Sequence, residues 1–106
     1  MEGIELICFQ IISSVGMARS SFIEAIQEAR NYNFENAEAK IKEGEEFFVK
    51  GHQFHAELIQ QEASGNHVAP NLLLIHAEDQ MMSAETIKIF AEEFIHNYKE
   101  IAELKK

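Results

Sequence analysis

An all-α fold, an antiparallel bundle of three long helices, is what this sequence predicts, and three observations predict it. Ala, Glu, Lys, Leu, Ile and Gln dominate, and these residues favour helix. Breaks are sparse: the chain of 106 residues has one proline, Pro70, and five glycines. Apolar residues recur at helical spacing through each uninterrupted stretch. Those breaks, NYNF at 31 to 34 and GNHVAP at 65 to 70, divide the chain into helices at about 3–31, 34–64 and 70–104. Gly65 suits the position after a helix end and Pro70 a first helical turn. Residues 1–106 read as a single domain, without a linker or an internal repeat.

The first helix carries Ile4, Ile7, Cys8, Ile11, Ile12, Val15, Phe22, Ile23 and Ile26 as one wide apolar stripe. Gly16 inside it predicts a bend or a close helix contact. In the second, Ala37, Ile41, Phe47, Phe48, Phe54, Leu58 and Ile59 read as inward-facing and EGEE at 43 to 46 as a solvated face. The third has two adjacent apolar stripes. One holds Leu73, Ala77, Ala84, Ile87, Ala91, Phe94, Tyr98 and Ile101; the other holds Leu72, Ile75, Met82, Ile89 and Phe90. A three-helix monomer needs one, so the surplus predicts packing against copies of the same chain. Met17, Met81 and Met82 read as packing residues.

A formal net charge of −9 argues against nucleic acid and anionic membrane as partners and leaves basic proteins open. The apolar runs read as too short to span a bilayer and no signal peptide is visible, so a cytoplasmic protein is expected. The single cysteine, Cys8, excludes an internal disulfide and reads as a buried small hydrophobe.

Chemistry concentrates in NLLLIHAEDQMMSAE at 71 to 85. His76 and Asp79 lie on one helix face, and Ser83 and Thr86 continue it as a polar ridge between the two apolar stripes. With both flanks apolar, the ridge is expected to be partly shielded, where an unpaired Asp is costly unless paired, bound to metal or protonated. A neutral imidazole can serve as nucleophile, base or ligand. No Ser or Cys has a hydrolase context, and a metal site from His76 and Asp79 is incomplete in one chain. Three copies of Asp79 around an axis would complete it, because the carboxylates repel unless a cation sits between them. His52 and His55 share a face and read as a partly exposed edge, and His67 as a loop residue. Glu93-x-x-His96 is half of a di-iron signature whose second copy is missing.

Through these residues and their neighbours, the chain resembles the lactose/cellobiose-type enzyme IIA components of the bacterial sugar phosphotransferase system. LLLIHAEDQMM is similar to the family block of aliphatics followed by His-Ala-x-Asp. IISSVGMARS at 11 to 20, NFENAEAKI at 33 to 41 and GHQFHAELIQ at 51 to 60 resemble further blocks, in the family's order. The resemblance implies a homotrimeric nine-helix bundle. It implies that His76 accepts a phosphoryl group from phospho-HPr as a tele-phosphohistidine and passes it to a cysteine of enzyme IIB. Enzyme IIC is then an indirect partner, which transports the sugar, of the lactose, cellobiose or chitobiose type, as it is phosphorylated. It further implies that Asp79, one from each of three subunits, holds a structural divalent metal ion, Mg2+, on the trimer axis, with no organic cofactor. The chain departs from the family pattern at Gln80, where a second His is common, at Gly51, where Ala is usual, and at Ala56, where a hydroxyl residue is common. Gln80 could support a phosphohistidine only as a hydrogen-bond donor.

Two other readings fit part of the pattern. A histidine-phosphotransfer domain of two-component signalling is also helical, but its His is followed closely by Lys and Gly, and neither follows His76. A non-catalytic helical adaptor fits composition and periodicity without the motif blocks.

Overall fold

The computed structural model describes residues 3–106, which form three helices: α1 (Gly3–Arg30), α2 (Phe34–Ala63) and α3 (Leu72–Leu104). They run up, down and up in a rod of 60 × 21 × 19 Å. α1 packs along both other helices, whereas α2 and α3 meet only along an edge. The core falls into two clusters. One joins Ile7, Cys8, Ile11 and Val15 of α1 to Leu58 of α2 and Ala77, Met81 and Ala84 of α3. The other, at the far end, joins Ala18, Phe22, Ala25 and Ala29 to Ala37, Ile41, Ala91 and Ile95. α1 is long and apolar enough to cross a membrane, contrary to the expectation that no segment is. Its most apolar face is spent on these two clusters.

The helix ends follow from local hydrogen bonding. α1 and α2 both stop in a Schellman arrangement. The amides of Tyr32 and Asn33 donate to Ala29 and Glu28, and those of Gly65 and Asn66 donate to Glu62 and Gln61. Gly65 takes the left-handed conformation as expected (φ 89°), but at the first break that position is filled by Tyr32 (φ 63°). The sequence assigns Pro70 to the first turn of the third helix. Instead Asn71 is the cap, its Oδ1 accepting from the Leu74 amide at 2.8 Å, and the helix begins at Leu72.

Three other expectations are corrected. Gly16 makes no close contact, since a Cβ there would meet nothing within 4 Å. The close approaches are at Gly44, under the Phe22 ring, and Gly51, against Val15. The EGEE face is only partly solvated. Gly44 is buried, Glu43 shares Lys40 with Glu24 across the α1–α2 contact, and Glu45 reaches Lys88 of α3. Finally, Ile23, Ile59, Met17 and Met82 lie exposed, not in the core.

The α2–α3 connection folds back on Glu62, which accepts from the Val68 amide at 2.6 Å and lies 3.0 Å from His67 Nδ1. The Val68 hydrogen bond is the main reason the Glu62 carboxyl is held below its ordinary value of 4.5, with His67 adding to it and partial desolvation opposing it. A depressed carboxyl stabilises the fold above its unfolded pKa and loses that contribution as pH falls through the folded one. Protection of the Val68 amide from hydrogen exchange is therefore expected to fall on acidification below the ordinary carboxylate range. Glu62→Gln should remove that pH dependence; a Val68 amide equally protected in acid would contradict it.

Candidate functional site

His76 sits in the second turn of α3, one turn beyond the Asn71 cap, and is exposed. Side chains on a helix lean toward its N-terminus, so the imidazole lies over the turn that begins the helix. With Leu72 and Leu73 it lines a shallow, mostly apolar depression. Among the described residues, no hydrogen bond is made to either ring nitrogen. Both are therefore open to an incoming group, as a nucleophile requires.

Asp79 is one turn further along and also exposed, and Gln80 is half-buried. No hydrogen bond joins Gln80 to His76 among the described residues. The polar ridge is present as expected, and among the described residues of a single subunit nothing covers it. Leu73, Ala77 and Ala84 turn inward, whereas the second stripe stands out from the subunit: Leu72 is 83% exposed, Ile75 58%, Met82 66%, Ile89 55% and Phe90 56%. Leu72, Ile75, Asp79, Met82, Thr86 and Ile89 alternate by three and four residues, the spacing of a coiled-coil seam. Leu6, Phe9, Met17 and Ile23 form a second exposed apolar stripe on α1.

The electrostatics of this end of the rod are one-sided. No Lys or Arg occurs from residue 51 to 87 or from residue 1 to 18. Glu78 and Asp79 stand beside His76 instead. Cys8 lies buried nearby, and burial first, then the charge of Glu78, pushes its thiol above 9.0, so it stays protonated and inert.

The remaining histidines separate clearly. His52 is exposed and lies against the Phe48 ring, at 5.8 Å between centroids. His67 belongs to the loop and His96 pairs loosely with Glu100, at 3.5 Å. His55 lies on a partly exposed edge, as expected, but it has a partner across the bundle. It is half-buried, and its Nε2 lies 2.8 Å from Glu78 Oε1, joining α2 to α3 beside the His76 turn. Sequence reasoning missed this pair, because its members are 23 residues apart and meet only through the antiparallel register. Among the described residues no group of three or more His, Cys, Asp or Glu side chains gathers to hold a metal within one chain.

Comparison with known proteins agrees with this geometry. Residues 6–99 match the family described as PTS system, Lactose/Cellobiose specific IIA subunit. The chain is 42% identical over 102 residues to the lichenan-specific phosphotransferase enzyme IIA component of Bacillus subtilis, covering 96% of this chain and 93% of that one. It is 31% identical over 98 residues to a lactose-specific EIIA component of Staphylococcus epidermidis, covering 92% and 94%. The crystal structure of the cellobiose-specific enzyme IIA from Bacillus anthracis superimposes with a TM-score of 0.91 at 39% identity, covering 96% of this chain and 94% of that one. Three helices in this order, an open histidine at the head of the third and a family match over nearly the whole chain make this protein a member of the lactose/cellobiose-type enzyme IIA family, phosphoryl-transferring components of the sugar phosphotransferase system.

Proposed function

We propose that His76 is the phosphoryl carrier of this subunit. The observation that supports it most is an exposed imidazole with both nitrogens unengaged, at the His of the His-Ala-x-Asp block. Its Nε2 lone pair attacks the phosphorus of phospho-HPr in line. The new P–N bond forms as the P–N bond to HPr breaks, so HPr leaves as free histidine and His76 becomes a tele-phosphohistidine. A cysteine thiolate of enzyme IIB then attacks the same phosphorus and releases the imidazole. Such transfer depends chiefly on alignment of donor and acceptor. The absence of Lys and Arg around His76 suits a carrier, since no fixed cation holds the phosphoryl group back. It also favours docking by partners that bring positive charge to the site. Gln80, one turn on from His76, carries an amide that could donate to the bound phosphoryl group. The lichenan, cellobiose and lactose specificities of the relatives support β-glycoside uptake through an enzyme IIC, with this chain as a cytoplasmic component. Intact mass after incubation with phosphoenolpyruvate, enzyme I and HPr tests the assignment: one acid-labile phosphoryl group on the wild type, none on His76→Ala.

The exposed seam of α3 supports a homotrimer in which this face is buried. Asp79 occupies the seam between Ile75 and Met82, so a threefold axis would bring three carboxylates together among apolar side chains. Such a cluster needs a cation, and an all-oxygen set fits a hard ion such as Mg2+. The metal supplies charge neutralisation at the axis, whereas the phosphoryl chemistry belongs to His76. Chelation is expected to lower the melting temperature of the wild type by roughly 5 °C. Asp79→Asn, which lacks the repulsion, should be indifferent to chelator. A wild-type transition unmoved by both chelator and added Mg2+ would remove the metal from this account.

A further inference from the structure

We infer that His55 is a positioning residue for phosphoryl transfer, acting through Glu78 to fix the direction in which His76 faces. The inference rests on the reading of His76 as the phosphoryl acceptor. It starts from how weakly the rest of the subunit specifies that direction. α3 lies against α1 through Ala77, Ala84 and Ala91, all fully buried and seven residues apart, with Met81 and Ile95 also buried between the helices. Next to His76 the buried residues are the short Ala77 and the unbranched, adaptable Met81, whereas Ile95 lies at the far end, so near the site this contact sets the distance between the helices better than it sets rotation about the α3 axis. Leu73 and Leu74 add half-buried packing at the first turn. His76 makes no hydrogen bond of its own among the described residues, so its ring points wherever the backbone turn carries it.

The contact to α2 removes that freedom. Three polar pairs bridge α2 and α3: Glu38 with Lys99 at 3.4 Å, Glu45 with Lys88 at 3.5 Å, and His55 with Glu78 at 2.8 Å. The first two join long flexible side chains and lie far along the rod from His76. The third is the shortest, uses a rigid ring with 22% side-chain exposure, and sits two residues from His76. Two residues along a helix are separated by about 200° of rotation. Tying Glu78 toward α2 therefore turns His76 to the opposite, open side, where a partner can reach it. A directional hydrogen bond resists rotation in a way that contacts through Ala77 and Met81 do not. In-line transfer makes such rotation matter, since a misplacement of about 1 Å can slow a reaction on the order of 100-fold.

The experiment measures the rate of phosphoryl uptake from phospho-HPr by wild type, His55→Leu, His55→Gln and Glu78→Leu, with the melting temperature and subunit mass of each. His55→Leu keeps bulk and removes the donor. It is expected to lower kcat about tenfold with KM for phospho-HPr little changed, the split that loss of alignment produces. His55→Gln offers an amide donor and should recover to within about threefold of wild type. The double variant His55→Leu/Glu78→Leu should be no slower than its slower parent, because both changes break one bond. Wild-type kcat in His55→Leu, equal loss in His55→Gln and His55→Leu, or additive losses in the double variant would each overturn the inference. A wild type that takes up no phosphoryl group would instead overturn the assignment of His76.

Discussion

His76→Ala is expected to lose phosphoryl uptake altogether while keeping the stability of the wild-type subunit. The two halves of this result have separate causes. A covalent carrier has no residual route once its nucleophile is gone, so the loss should exceed about 1,000-fold, beyond what weakened alignment alone would give. Stability is spared because the imidazole is exposed and makes no hydrogen bond among the described residues. Alanine is also the better helix former, so unfolding free energy should shift by no more than about 0.5 kcal/mol either way. His52→Ala, His67→Ala and His96→Ala remove exposed rings elsewhere and should be phosphorylated like the wild type. Their intact masses after reaction with phospho-HPr form the comparison. A phosphoryl group on His76→Ala, or its loss from one of the other three, would move the carrier site elsewhere.

Much of this was legible in the sequence, and what was not has a common cause. Helix content and the number of helices follow from composition and sparse breaks, which are local properties. His76 and Asp79 stood out as candidates because their neighbours form an apolar block with a specific order. The errors concern which face of a helix meets which neighbour. Gly16 looked like a point of close approach because it interrupts an apolar stripe, yet the approaches are made by Gly44 and Gly51, set among polar residues of α2. Met82 and Ile59 have the spacing of core residues and lie outside, since periodicity identifies a stripe without saying what covers it. Tyr32 in a left-handed conformation breaks the usual preference for glycine there. Lys105 over its ring at 5.3 Å and Phe34 edge-on at 6.1 Å help to hold it. His55 with Glu78 is the same lesson at the site, since neither residue announces its partner.

The Phe22–Gly44 contact carries the largest expected effect on folding. Phe22 is fully buried in the far core cluster, and its ring lies against the α2 backbone at Gly44. A Cβ at residue 44 would stand 2.7 Å from Phe22 Cδ1 and 3.0 Å from Cζ. On an open helix surface Gly→Ala is favourable by about 1 kcal/mol. Here overpacking opposes it, at about 1–3 kcal/mol and sometimes more, because a ring with no exposed surface has nowhere to swing. Gly44→Ala is therefore expected to destabilise, against its helix propensity. Phe22→Ala removes the ring and should cost about 3–5 kcal/mol, a large part of the 5–15 kcal/mol that holds a domain of this size. The two changes are coupled through one space. Phe22→Leu/Gly44→Ala should be less destabilised than the sum of its parents, as the added methyl enters volume that the ring vacates. Urea unfolding at one fixed subunit concentration reads the energy of wild type, Gly44→Ala, Phe22→Ala, Phe22→Leu and the double variant, with an unchanged m-value as the check that the unfolded state is the same. Gly44→Ala more stable than wild type, or strict additivity in the pair, would show that the Phe22 ring does not occupy the space at Gly44.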